Sequence, residues 1–176
     1  MSTSAGSKGL SLIHFDRECL ERSWAWLSDP EIAELTMTEP FLLDDQLRFF
    51  EGLPKRTDYT IWGINLDGFG IIGATGLKNQ RGTVAEYWGY IGERQYWGKG
   101  LGKYLMLLVE AKARELGFES LYLKVISSNS RAISLYKATN FIVDTSASTN
   151  EYLCMTKDIA SRASEIWVET EVDYGA

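Results

Sequence analysis

Residues 92–103 read Gly92-Glu93-Arg94-Gln95-Tyr96-Trp97-Gly98-Lys99-Gly100-Leu101-Gly102-Lys103, with glycine at three alternate positions and lysine beside them. Backbone without Cβ atoms can approach a ligand closely. Free N–H groups at the start of a helix, aided by the helix dipole, attract an anion. Lys99 and Lys103 add positive charge at that point in a chain of net charge -6 and pI about 4.9. An acidic protein that handles a phosphorylated ligand must concentrate its positive field locally. The stretch therefore reads as a pyrophosphate cradle, or, more plainly, as a glycine turn capping a helix.

Two common phosphate motifs do not fit. A Walker loop has four residues between its first glycine and its Gly-Lys pair; Gly92 and Gly98 have five, and Gly100 follows Lys99 where Ser or Thr is required. A dinucleotide fingerprint G-x-G-x-x-G would need glycine at Lys103, and its third glycine falls one residue early, at Gly102.

The elements that must hold this loop follow from hydrophobic period. Leu101, Leu105, Leu108, Val109 and Leu116 mark an apolar stripe at helical spacing, with Gly117-Phe118 as the stop. Before the loop, strands over 59–66, 70–77 and 83–92 alternate with turns at Asp67-Gly68 and at residues 79–82, an antiparallel meander. After it come a strand over 120–127 with Leu121, Leu123 and Val125 on one face, a short helix over 130–139, and strands near 141–144 and 151–157. The N-terminal third supplies a strand over 10–15 and helices over 16–28, 31–35 and 44–53. The sum is one mixed α/β (α+β) domain, with a floppy start over 1–9 and a short helix with a frayed end over 158–176.

Bulk properties narrow the class. The 176 residues, 45% hydrophobic and 24% charged, suit one soluble globular domain. Cys19 and Cys154 have no disulfide-framework or metal-type spacing, so reduced cytoplasmic thiols and no metal are expected. No run reaches the ~18 apolar residues of a membrane span. The absence of a Lys/Arg block argues against nucleic acid as a partner. His14, the lone histidine, has no visible catalytic partner.

Ala85-Glu86-Tyr87-Trp88-Gly89-Tyr90-Ile91-Gly92 leading into Tyr96-Trp97-Gly98-Lys99-Gly100-Leu101-Gly102 resembles the central strand and acyl-CoA loop of the GNAT superfamily of N-acetyltransferases. Asn129 to Lys137, then Asn140-Phe141, resembles that family's second motif, and the likeness spans residues 10–157. It is closest in look to the branch of ribosomal-protein N-terminal and nucleotide-amino-sugar acetyltransferases. The resemblance implies a single GNAT-like domain with a central mixed, mostly antiparallel twisted sheet of about six or seven strands flanked by helices. There are departures: Trp97 stands where the family usually has Arg or Gln, and Asn140 replaces the glycine of a final Gly-Phe.

The resemblance also implies direct transfer from acetyl-CoA, a donor co-substrate, with no acyl-enzyme and no metal. Trp97, Gly98, Lys99, Gly100, Leu101, Gly102 and Lys103 would hold its phosphates. The backbone of Tyr90, Ile91 and Gly92 would pair with pantetheine like an added strand, and Asn129 would bond the CoA arm or simply cap a helix. An amine of pKa ~10.4 must lose a proton before attack. Glu86 is the candidate base, or a solvated strand-end acid, with Glu93 in reserve. Tyr136 matches the family tyrosine that serves the leaving thiolate; the alternative is a core tyrosine.

The acceptor is expected to be a small-molecule primary amine, with a nucleotide-linked amino sugar favoured and a protein N-terminal amine as the alternative. The N-terminal helices and nearby strand faces would wall its pocket in a region that carries Trp24, Trp26, Met37, Phe41, Phe49 and Phe50, most of them core by simple odds; Arg48, Lys55, Arg56 and Lys78 could answer further phosphate or be solvated surface charges. A non-catalytic acyl-CoA-binding module is the reading from another class. Monomer and homodimer are both open.

Overall fold

In chain order the elements are β1 (Leu10–His14), α1 (Arg17–Leu27), α2 (Pro30–Leu35), α3 (Leu43–Gly52), β2 (Thr60–Leu66), β3 (Gly70–Arg81), β4 (Val84–Ile91), α4 (Leu101–Glu115), β5 (Ser120–Ile126), α5 (Ser130–Ala138), β6 (Ile142–Asp144) and β7 (Tyr152–Asp158). They are seen in a computed structural model that describes residues 9–160. The start expected over 1–9 and the tail expected over 158–176 lie almost wholly outside those residues. Of the tail, Ile159 is fully buried and its N–H donates to Glu119 O at 2.8 Å, so the core extends past the last strand.

Local chemistry explains the helix boundaries. Asp16 caps α1 by accepting the Cys19 N–H at 3.0 Å, and Asp29 caps α2 with Pro30 in the first turn. Asn129 caps α5. Gly100 begins α4 at φ 74°, a left-handed conformation that costs an L side chain energy, and Gly117 ends it at φ 88°.

Seven strands form one sheet in the order β1-β2-β3-β4-β5-β7-β6. Every neighbouring pair is antiparallel except β4 and β5. Those two pair in parallel through Val84, Ala85 and Glu86 alone, and part beyond Glu86. Side chains alternate along β4, so its two faces serve different cores. Ala85, Tyr87 and Ile91 pack with α4 and α5; Trp88 and Tyr90 pack under α1 and α3.

Two details differ from expectation. No turn forms at 79–82; β3 runs on to Arg81, the ladder slips between Lys78 and Arg81, and the hairpin turns at Gly82-Thr83. Asn79 absorbs the slip as a bulge at φ 49°, a conformation asparagine tolerates. On α4 the inward face holds Met106 and Ala113 beside Leu101, Leu105 and Val109, whereas Leu116 is 51% exposed. Leu116 is the C-cap, past which the chain reverses, and Phe118 takes the inward place.

One charged cluster is buried inside the fold. Glu110 of α4 meets Lys157 of β7 directly, and Arg114 reaches Glu110 at 3.4 Å while donating to Ile159 O at 2.8 Å. Among the described residues no helix is long and apolar enough to cross a membrane, and no group of three or more His, Cys, Asp or Glu could hold a metal ion.

Burial also sets a pH limit. It pushes the Cys19 thiol up to about 11 and the Tyr136 hydroxyl up to about 12, and raises Tyr59, Tyr87 and Tyr90 as well. These groups hold their protons more tightly folded than unfolded. Their contribution is therefore full below the unfolded values, near 9 and 10, and is lost as pH rises through the folded ones. The urea midpoint is expected to hold to about pH 9 and to fall clearly by about pH 11; a midpoint unchanged at the higher pH would contradict this.

Candidate active site

Where β4 and β5 separate, a cleft of about 860 Å³ opens through the sheet. At one end it is walled by Trp97, Gly98, Gly100 to Lys103 and α5; at the other by residues of α1 to α3, with Tyr59, Trp88 and Tyr90. The helices at that second end thus come from one contiguous stretch, residues 17–52, and the glycine loop from a later one.

The glycine loop is fixed from several sides. Trp97 donates its Nε1–H to Ile91 O at 2.6 Å, which ties the loop to the end of β4. Two guanidinium groups lie over its ring, Arg131 at 4.5 Å and Arg94 at 5.2 Å from the centroid. Arg94 in turn grips Asp29 at 2.7 and 2.8 Å and meets Glu31, so the loop is anchored to α2. Trp97 therefore braces the loop at the position where Arg or Gln is usual. Gly98 and Gly100 both take positive φ, 70° and 74°. A Cβ on Gly102 would stand 2.6 Å from Leu135 Cδ2, so α4 and α5 pack closely there. Lys103 lines the cleft; Lys99 is exposed and does not.

Gly100→Ala is expected to add about 1–2 kcal/mol of backbone strain at φ 74°. It should also place a methyl group in the cradle and weaken acetyl-CoA binding about tenfold or more. Titration calorimetry checks it; an unchanged Kd would separate the cradle from the donor.

Along β4 the donors are divided. Gly92 N–H binds Ile72 O at 2.8 Å, which makes Gly92 a rung with β3. Rungs alternate in an antiparallel pair, so Tyr90 also bonds towards β3, while Gly89 and Ile91 turn their backbone groups to the open edge. Of the three backbones expected to meet pantetheine, Ile91 is the one aimed at the gap, and its carbonyl already accepts from Trp97. Gly89 is the other residue whose backbone faces that gap.

Tyr136 lines the cleft from α5, 8% exposed, with its ring edge-on to Tyr87 at 6.0 Å. Burial raises its hydroxyl to about 12, and the neighbouring Tyr87 hydroxyl pulls the other way. Asn129 also lines the cleft, but its Oδ1 accepts the Ala132 N–H at 3.1 Å as a helix cap, which leaves its amide nitrogen for a bound molecule. Glu86 is buried outside the cleft lining. Its carboxylate accepts from Asn79 Nδ2 at 2.6 Å and pairs with Lys78 Nζ at 3.6 Å; Lys78 does line the cleft. Glu93 stands apart as well, accepting from Trp26 Nε1 at 3.2 Å with Arg22 at 3.9 Å. His14 is exposed on the edge strand β1.

Met37, Phe41 and Phe49, expected at the acceptor pocket, line the cleft at the end away from the glycine loop, while Trp24 packs against Phe41 and Trp26 under Tyr90. Of the four cations considered for extra phosphate, Lys78 alone lines the cleft. Arg48 pairs with Asp45 at 2.5 Å and Arg56 with Asp58 at 2.7 Å. Residues not singled out from sequence include Ser23, Gln46, Tyr59 and Lys124. Gln46 alone carried a signal, as an amide on the inward stripe of an amphipathic helix.

The chain matches the model of the acetyltransferase (GNAT) family over residues 19–141. Among solved structures it is similar to the spermidine N-acetyltransferase of Vibrio cholerae in complex with CoA and spermine, with TM-score 0.79 and 17% identity over 86% of this chain and 96% of that one. A domain from Methanocaldococcus jannaschii gives TM-score 0.73 at 19% identity over 85% and 97%. The N-acetyltransferase PseH of Campylobacter jejuni in complex with acetyl coenzyme A gives 0.65 at 19% identity over 85% and 98%. At such identities these likenesses speak for the fold. A curated Methanocaldococcus jannaschii protein of uncharacterized function is 23% identical over 136 residues, 76% of this chain; the chain spans 28% of that protein's length.

Proposed function

The chain belongs to the acetyltransferase (GNAT) family, and from that premise we propose that it carries the acetyl group of acetyl-CoA to the primary amine of a nucleotide-linked amino sugar. Acetyl transfer from acetyl-CoA to an amine is the family's chemistry. The observation that carries the reading is the continuity of one cleft from the glycine cradle to the aromatic pocket, with Tyr136 on its wall. Donor and amine can then meet without an acyl-enzyme.

In the proposed mechanism the cradle holds the pyrophosphate, the open edge of β4 at Gly89 and Ile91 lies along the pantetheine arm, and an N–H there polarises the thioester carbonyl. The neutral amine attacks the carbonyl carbon, the C–S bond breaks, and the leaving thiolate takes a hydrogen bond from Tyr136. Glu86 receives the amine's proton through water around Lys78, because its carboxylate lies behind the wall.

The acceptor class is argued from charge. Asp45 is the one carboxylate among the lining residues. It accepts the Leu42 N–H at 3.1 Å and pairs with Arg48, and both hold its carboxyl below the usual range. Away from the cradle, where Lys103 and Arg131 stand, Lys78 and Lys124 line the cleft, Lys78 paired with Glu86 at 3.6 Å. A polycation finds no unpaired acid there, whereas an anionic nucleotide meets cations.

The test follows thiol release from acetyl-CoA with a UDP-linked amino sugar, spermidine and a peptide bearing a free N-terminus. The amino sugar is expected to give a kcat/KM at least tenfold above the others. A higher value with spermidine or the peptide would refute the acceptor assignment and leave acetyl transfer intact.

A further inference from the structure

The one buried residue of α3 is a glutamine. Gln46, with Phe50 and Leu53, occupies a stripe that faces the core, and the amide is 9% exposed. Its Oε1 is fully buried and has no hydrogen-bond partner. On α1, Ser23 is 3% exposed, its Oγ completes no well-formed hydrogen bond, and it sits beside the Tyr90 hydroxyl. Both side chains line the acceptor end of the cleft. Burying such atoms unpaired is costly, so a position that keeps them has a partner that comes and goes.

We infer that Gln46 and Ser23 are specificity-determining residues that accept hydrogen bonds from neutral hydroxyl or amide groups on the body of the acceptor. The inference rests on the acetyl-transfer reading above and adds the residues that choose the substrate. Neutral donors are favoured because Asp45, the carboxylate in this lining, is already engaged, and a second ammonium would be desolvated without compensation. Beside them Phe49 meets Tyr59 edge to face at 5.2 Å and Tyr59 lies tilted against Trp88 at 6.1 Å, an aromatic surface for the apolar face of a sugar or other ring. The site is thus built for a hydroxylated, ring-bearing body and against a polyamine.

The experiment compares wild type, Gln46→Leu, Gln46→Met and Gln46→Glu in steady-state assays with the UDP-linked amino sugar and with spermidine. Thermal midpoints are recorded with and without acetyl-CoA. Gln46→Leu and Gln46→Met are expected to raise the amino-sugar KM tenfold or more, to leave the acetyl-CoA KM unchanged, and to melt no lower than wild type, since an unpaired amide has been removed. Gln46→Glu should shift relative kcat/KM towards spermidine. An amino-sugar KM within twofold of wild type in both apolar variants would overturn the inference. So would a wild-type preference for spermidine, or stabilisation by acetyl-CoA with turnover of neither acceptor. Absence of any acetyl-CoA stabilisation would instead bring down the acetyl-transfer reading, and this inference with it.

Discussion

Tyr136→Phe is expected to lower kcat by about 10²–10³-fold, the usual cost of losing one donor to a developing negative charge, with acetyl-CoA affinity within about twofold of wild type. The side chain lines the cleft, and burial raises its hydroxyl to about 12, so it stays protonated across the working pH range. A thiol leaves with a pKa of ~8.5, which makes full proton transfer from such a phenol uphill by about 5 kcal/mol. The proposed role is therefore a hydrogen bond that strengthens as charge builds on sulfur. Two consequences separate this from a packing role. The ring contacts with Tyr87 and Phe141, at 6.0 and 5.8 Å, survive in phenylalanine, so the thermal midpoint should move little. The kcat–pH profile should show no tyrosine limb below about pH 11. Single-turnover measurement of acetyl transfer checks the rate, and a kcat within threefold of wild type would return Tyr136 to the core.

The second large effect is on stability. Lys157→Met would leave the Glu110 carboxylate buried, with Arg114 at 3.4 Å as its remaining cation. Removing one partner of a buried pair typically costs 3–5 kcal/mol. Because Arg114 stays, about 3 kcal/mol is expected here, a fall in Tm of about 6–12 °C for a chain of this size. Lys157→Met with Glu110→Leu removes both charges and should restore the midpoint to near the wild-type value. Urea melts of the three proteins decide it. Equal losses in single and double variants would mean that the site responds to volume rather than to charge.

The parts that were legible in the sequence are those written in local order. Gly98, Gly100 and Gly102 sit before a helix with a clear stripe, so neighbouring residues carry both the cradle and its mount. Strand alternation and the Asp67-Gly68 turn likewise announce the meander. The bulge at Asn79 looks like a turn in the sequence because asparagine and glycine mark both, and only the pairing across to β4 tells them apart. The Glu110–Lys157 pair joins residues 47 positions apart, and no spacing rule reaches that far. Glu86 was sought at the centre of the chemistry. Its strand position could not reveal that Asn79 and Lys78 enclose it behind the wall. Residues on α1 and α3 enter the site only through packing over β4, so Ser23 and Gln46 could not be joined to Trp88 and Tyr90 beforehand.

The acceptor-side helices occupy residues 17–52, while the loop and helices at the donor end come from 92–138. Changes that retune one end need not disturb the other, because the two stretches are separate in sequence and meet across a gap in the sheet. On the proposed reading, substitutions within residues 17–52 can change the amine taken while the glycine loop keeps its hold on the donor.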